Sequence, residues 1–207
     1  MPLFRNKSRL IHFIHIPKTG GTSVEHSLIK SGAIQALFSR KKDKFSKVTM
    51  QHLHYDYYNL IIPSNFADWS FAIVRNPFSR IMSEYKMKIL KIRKSDQSFD
   101  SFVLESFESC LRNKQHRDNH IRQQKDFISD YLDIFKLENG LELPLKKACQ
   151  KLEIRFSGLS NINTSSSIKV KASEKVLDEI RLFYKEDFLY FNYDSNTVPD
   201  SYDVTRN

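Results

Sequence analysis

Glycine and proline are scarce in this chain, with 5 Gly and 6 Pro among 207 residues, and cysteine occurs twice. No linker-like stretch and no internal repeat divides the sequence. It therefore reads as one domain over residues 1–207, with a loose C-terminal tail from about 195. Cys110 and Cys149 stand far apart and fit no metal or redox spacing, so the expectation is idle thiols in a reducing compartment, with one disulfide left open. No apolar run approaches the roughly 20 residues that span a bilayer. The opening "MPLFRNKSRLIHFIHI" has no long apolar core and no small-residue cleavage site, which reads as a cytoplasmic protein without a signal peptide.

Hydrophobic residues make up 40% and aromatics 13%, with 16 Phe and 9 Tyr, enough for a folded core. Lys and Arg number 33 against 24 Asp and Glu, a net charge of +9 and a pI near 9.4. The basic residues cluster in "RKKDKFSK" (40–47), "KMKILKIRK" (86–94) and "RNKQHR" (112–117). Each cluster reads either as a solvated face or as attraction for an anionic partner.

"LIHFIHI" (10–16) and "WSFAIVR" (69–75) are continuous apolar runs of strand length, the pattern of buried parallel strands. "KVTMQHLHY" (47–55) alternates well enough for a further strand, and "DYLDIFKLEN" (130–139) reads as another. Helical spacing marks 21–32, closing at Gly32, and a segment from Pro77 capped by Asn76. It also marks 99–112, 143–154 and one long helix over 173–191. Strands alternating with helices predict an α/β, P-loop-type three-layer fold with a central parallel β-sheet flanked by helices. Ligands gather at the carboxyl ends of such strands.

Two turns fall there. "HIPKTGGTS" (15–23) follows the first buried strand and opens a helix. Gly20 and Gly21 let the backbone curl its N–H groups inward, Lys18 adds an ammonium, and Thr19, Thr22 and Ser23 offer hydroxyls. That set fits a phosphate or sulfate. An ATP loop also needs a carboxylate at the end of a neighbouring strand to hold Mg²⁺. Here "FAIVR" ends in Arg75, which repels a metal and welcomes a second phosphate, and Ser83 lies two helical turns further on.

These residues resemble a family. "HIPKTGGTS" is similar to the 5′-phosphosulfate loop of sulfotransferases that use 3′-phosphoadenylyl sulfate (PAPS). "RNPFSRIMSEY" (75–85) resembles their 3′-phosphate motif. "DNHIRQQKDF" (118–127) and "YKEDFLYFNY" (184–193) resemble segments of the carbohydrate-type branch. The glycine-rich adenine-side segment of the small-molecule branch has no counterpart, and "NINTSSSIK" (161–169) stands roughly where it would fall. The resemblance implies that Lys18, Thr19, Gly20, Gly21, Thr22 and Ser23 bind the phosphosulfate, and Arg75 and Ser83 the 3′-phosphate. It implies PAPS as donor, adenosine 3′,5′-bisphosphate (PAP) as product, no metal, and a carbohydrate or other hydroxyl acceptor, with an acidic glycan matching the basic clusters.

Lys18 is placed to stabilise the bridging oxygen as it gains charge. The acceptor needs a base, and neutral imidazole suits pH 7. His12 and His15 read as structural. The spacing of His52 and His54 in "QHLHY" puts both rings on one face of a strand or extended loop. It resembles the His-x-His pair of uronyl 2-O-sulfotransferases, with His52 the favoured base. His120, expected one helical turn from Gln124, is the reserve, and that pair is expected to shape the acceptor site. Two other readings compete: a P-loop kinase or nucleotide hydrolase, disfavoured by Arg75, and a nucleic-acid-binding protein, which lacks any recognition-helix signature.

Overall fold

The computed structural model describes residues 1–39, 48–93, 95–160 and 169–205. The segments 40–47 and 161–168, which contain one basic cluster and most of the expected adenine-side stretch, lie outside the described residues. Two compact units emerge, Met1–Val74 with Asp126–Asn163, and Arg75–Lys125 with Thr164–Asn207.

The first unit is built on a five-stranded sheet of order β3-β1-β2-β4-β5. Strands β2 (Arg9–Ile14), β4 (Trp69–Val74) and β5 (Asp133–Lys136) run parallel, with Ile14 opposite Ala72 and Val74 opposite Lys136. Strands β1 (Leu3–Asn6) and β3 (Ile34–Ala36) form an antiparallel edge. The sheet is thus mostly parallel and not wholly so. Strand β1 escapes a reading of periodicity because it has four residues, two of them Arg5 and Asn6; it is recruited by pairing with β2.

Alternation along β2 and β4 sorts the two faces. Ile11, Phe13, Phe71 and Ile73 pack with Val24 and Leu28 of α1 (Gly21–Lys30) and Leu145 and Ala148 of α5 (Glu142–Lys151). On the other face His12 meets the Tyr58 ring of α2 (Tyr55–Ile61) edge-on at 5.4 Å, and the Tyr58 hydroxyl donates to the Phe127 carbonyl. Helices therefore cover both faces, as continuous apolar strands require. Helix α1 ends as predicted: Gly32 takes φ +100°, its N–H bonds to the Ile29 carbonyl, and Ala33 reaches back to Leu28.

In the second unit, Asn76 accepts from the Ser79 N–H and Pro77 fills the first turn of α3 (Pro77–Tyr85), which runs on as a π-helical stretch, Lys86–Arg93. Helix α4 (Phe99–Arg112) is capped by Ser98. Strand β6 (Val170–Ser173) precedes α6 (Glu174–Phe183), then come α7 (Lys185–Tyr190) and strand β7 (Tyr202–Thr205). The core joins Phe78, Ile81, Phe102, Leu177, Tyr184 and Phe188.

Three expectations need correction. The stretch 47–55 is no strand where it is described: Met50–His52 is a 3₁₀ turn and α2 begins at Tyr55. The Gln51 side chain is drawn inside to His15 and Glu25, and that contact overrides the weak alternation. The long helix over 173–191 breaks at Tyr184, where φ is −102° and ψ 21°. The break turns Asp187 inward to accept from the Gln124 and Lys125 N–H groups. The tail is not loose throughout: β7 pairs in parallel with β6, and Tyr202 is buried with its hydroxyl donating to the Phe78 carbonyl. Cys110 and Cys149 are both buried and are not joined in a disulfide.

Candidate active site

In the first unit, the chain leaves β2 through His15 and Ile16 and turns into α1 within four residues. Lys18 adopts φ 70° and Gly20 φ 86°. The left-handed region costs a non-glycine residue on the order of 1 kcal/mol, so Lys18 holds strain of the kind found at ligand sites. Gly21 is needed for a separate reason. A Cβ there would stand 2.2 Å from His15 Nε2, inside the imidazole. The glycine pair thus serves two ends: Gly20 supplies the left-handed turn and Gly21 admits the ring.

Helix α1 starts with Gly20 at its N-cap, no side chain capping its first amides, and no acidic residue in its first turn. Thr22 and Ser23 sit half-buried in that turn, and Lys18 is half-buried beside it in the chain. The positive end of the helix dipole is therefore met by no acidic side chain of its own first turn. Thr19 departs from expectation. It is fully buried, and its hydroxyl donates to the Ile16 carbonyl at 2.9 Å, so it shapes the turn rather than offering that proton to a ligand.

Behind the turn lies a polar cluster that the sequence did not disclose. His15 Nδ1 lies 2.6 Å from Glu25 Oε1 and 2.7 Å from Gln51 Nε2, and all three side chains are buried. The His52 ring meets His15 edge-on at 5.0 Å, and its Nδ1 lies 3.4 Å from the Thr49 hydroxyl. His52 is half-buried. His54 diverges from it: it is buried, stacks edge-on against Tyr57 at 4.8 Å, and lies 3.7 Å from Asp56. The two imidazoles do not share one strand face, because the 3₁₀ turn and the start of α2 send them apart. Glu25 carried a legible signal, an acid within an otherwise apolar stripe of α1; its partner did not. His12 is buried, both its nitrogens lack a hydrogen-bond partner among the described residues, and burial pushes it down to about 3.

In the second unit, Arg75 follows directly on β4. The Gln124 side chain brackets its backbone, accepting from the Arg75 N–H at 2.9 Å and donating to its carbonyl at 2.8 Å. Gln124 is fully buried, and its own N–H bonds to Asp187. Its side-chain amide is thus engaged with the Arg75 backbone. His120 stands in a turn and not on a helix; its Nδ1 lies 2.7 Å from Glu84 Oε2. The buried guanidinium of Arg80 donates to the Arg122 and His120 carbonyls, tying this turn to α3. Ser83 is half-buried on α3. Arg80 and Asp187 escaped sequence reading because surface-type residues gave no hint of their burial.

These features define a class: α/β proteins with a glycine turn between a buried parallel strand and a helix whose first amides are uncapped, and an arginine at the exit of the adjacent parallel strand. Residues 1–194 match the sulfotransferase family, and the chain belongs to that family. No curated protein matches it. Among solved structures it is similar to a sulfotransferase from Alicyclobacillus acidocaldarius, at 15% identity and a TM-score of 0.37. That match covers 62% of this chain and 56% of the other, so this chain spans little more than half the length of that protein. Among the described residues no helix is long and apolar enough to cross a membrane.

Proposed function

We propose that the protein moves the sulfuryl group of PAPS to a hydroxyl of a carbohydrate acceptor without a metal. The observation that carries this reading is the uncapped start of α1, reached through a strained Lys18 and a glycine closed against His15. The amides at Gly20 and Gly21 and the hydroxyls of Thr22 and Ser23 take the phosphosulfate. Arg75 and Ser83 take the 3′-phosphate, with a cation standing where a Mg²⁺-dependent enzyme would place a carboxylate. The acceptor oxygen attacks sulfur in line, the bond from sulfur to the bridging oxygen breaks, and that oxygen leaves as part of PAP. Lys18 stabilises its growing charge.

The acceptor proton passes to a histidine. His52 suits this better than His54, because it is half-buried where His54 is buried. Burial and the Asp56 contact give His54 a structural role, and the Glu84 contact ties up one nitrogen of His120. The carbohydrate branch is supported by the motif resemblance at 118–127 and 184–193, and an acidic glycan by the net charge of +9.

Incubation with sulfur-labelled PAPS and a panel of glycans, lipids and small alcohols tests the reading. Label is expected on a glycan hydroxyl, with PAP released in equal amount and no effect of a metal chelator. Binding of ATP with Mg²⁺ in preference to metal-free PAP would overturn it.

A further inference from the structure

Burial divides the surface of α3 unevenly. Phe78, Arg80, Ile81, Met82, Glu84 and Tyr85 are buried, whereas Ser79, Ser83 and Lys86 are half-buried. The backbone is still helical at Lys86, with φ −56° and ψ −42°, and its N–H bonds back to the Met82 and Ser83 carbonyls. At 3.6 residues per turn, steps of four and then three set Ser79, Ser83 and Lys86 on one stripe. The helix also passes into its π-helical stretch at Lys86, a rare conformation that concentrates at functional sites.

We propose that Lys86 is a third residue of the 3′-phosphate site, acting beside Arg75 and Ser83 and setting the preference for a 3′-phosphorylated nucleotide. This rests on the donor reading above. Burial, and after it the positive charge of Arg75, lower the pKa of the Lys86 ammonium. Like charges repel, and a phosphate with two negative charges attracts both cations. A lysine that served only to cover apolar surface with its stem would have no need of that company.

Calorimetric titration of the wild type, Lys86→Met and Lys86→Arg with PAP and with adenosine 5′-monophosphate tests the assignment. Methionine keeps the apolar stem and removes the charge. Lys86→Met is expected to weaken PAP about tenfold, the worth of one charge-assisted contact, and the monophosphate less than about twofold. Lys86→Arg is expected to keep most of the PAP affinity, and ligand-free Lys86→Met to melt no lower than the wild type. A wild type that prefers PAP while Lys86→Met loses nothing overturns the Lys86 assignment alone. Equal losses for both nucleotides, with a lowered melting point, mark a structural stem and overturn it too. A wild type without any preference for PAP overturns the donor reading and this assignment with it.

Discussion

At the scale of single residues, the two glycines of the turn show what a sequence can and cannot say. Their presence after a buried strand marked the turn between β2 and α1, but the obstacle that makes Gly21 necessary, the His15 ring, is a neighbour through space. Gly21→Ala is expected to destabilise the protein by about 2 kcal/mol or more and to weaken PAP at least about tenfold, because the ring or the turn must move. Gly140→Ala is the control. Its φ of +82° is strained for alanine, yet nothing lies within 4 Å of the new methyl, so only about 1 kcal/mol is expected. Urea unfolding and PAP titration of both variants check this. His12 yields a pH prediction. Its folded pKa, about 3, lies below the ordinary value of 6.5, so the unfolded chain binds the extra proton between those limits. Stability is complete above about pH 6.5 and falls by roughly 1.4 kcal/mol per pH unit beneath it, levelling near pH 3. Denaturant unfolding from pH 7 to 4.5 is expected to show this slope in the wild type and a shallower one in His12→Phe.

Elements were legible where periodicity and caps agreed. Helix α4 spans the expected 99–112 because one apolar stripe and the Ser98 cap define it without help. The misread segments are those where a buried polar contact decides the path: Gln51 pulls 50–52 into a 3₁₀ turn, and Asp187 breaks the last long helix. The same logic applies to Gln124, expected to shape an acceptor site and found bracketing the Arg75 backbone. Gln124→Leu keeps the bulk but leaves the Arg75 N–H and carbonyl without that partner, and the Gln124 replacement no longer holds the turn at a fixed distance. A loss of about 2–4 kcal/mol is expected in urea unfolding. PAP affinity is expected to fall with it, because Arg75 loses its fixed backbone. A variant that loses stability but binds PAP normally would show that Arg75 is held by other means.

For the whole molecule, the net charge of +9 predicts how salt acts on turnover. Attraction between a basic surface and an acidic glycan is screened beyond about 10 Å at 0.1 M salt. KM for an acidic glycan is expected to climb severalfold between about 0.05 and 0.3 M NaCl, while that for a neutral acceptor stays nearly level. Charge was fully legible in the sequence; the role of the C-terminal residues was not. Polar and proline-containing, 195–207 reads as a loose tail, and the family match stops at residue 194. Yet Tyr202 is buried among Phe78, Phe99 and Val170, and β7 completes the sheet with β6. One aromatic in a polar stretch does not announce a core position, since the pairing that buries it is more than thirty residues away in the chain. Tyr202→Ala removes a buried ring and is expected to cost about 3–5 kcal/mol, whereas Tyr202→Phe loses only the bond to the Phe78 carbonyl, about 1 kcal/mol. Because Phe78 lies in the first turn of α3, three residues after Arg75, the alanine variant is also expected to weaken PAP more than the phosphosulfate turn alone would predict. Chemical unfolding alongside PAP titration of the two variants separates these effects, and an alanine variant as stable as the wild type would return the tail to the loose end its sequence resembles.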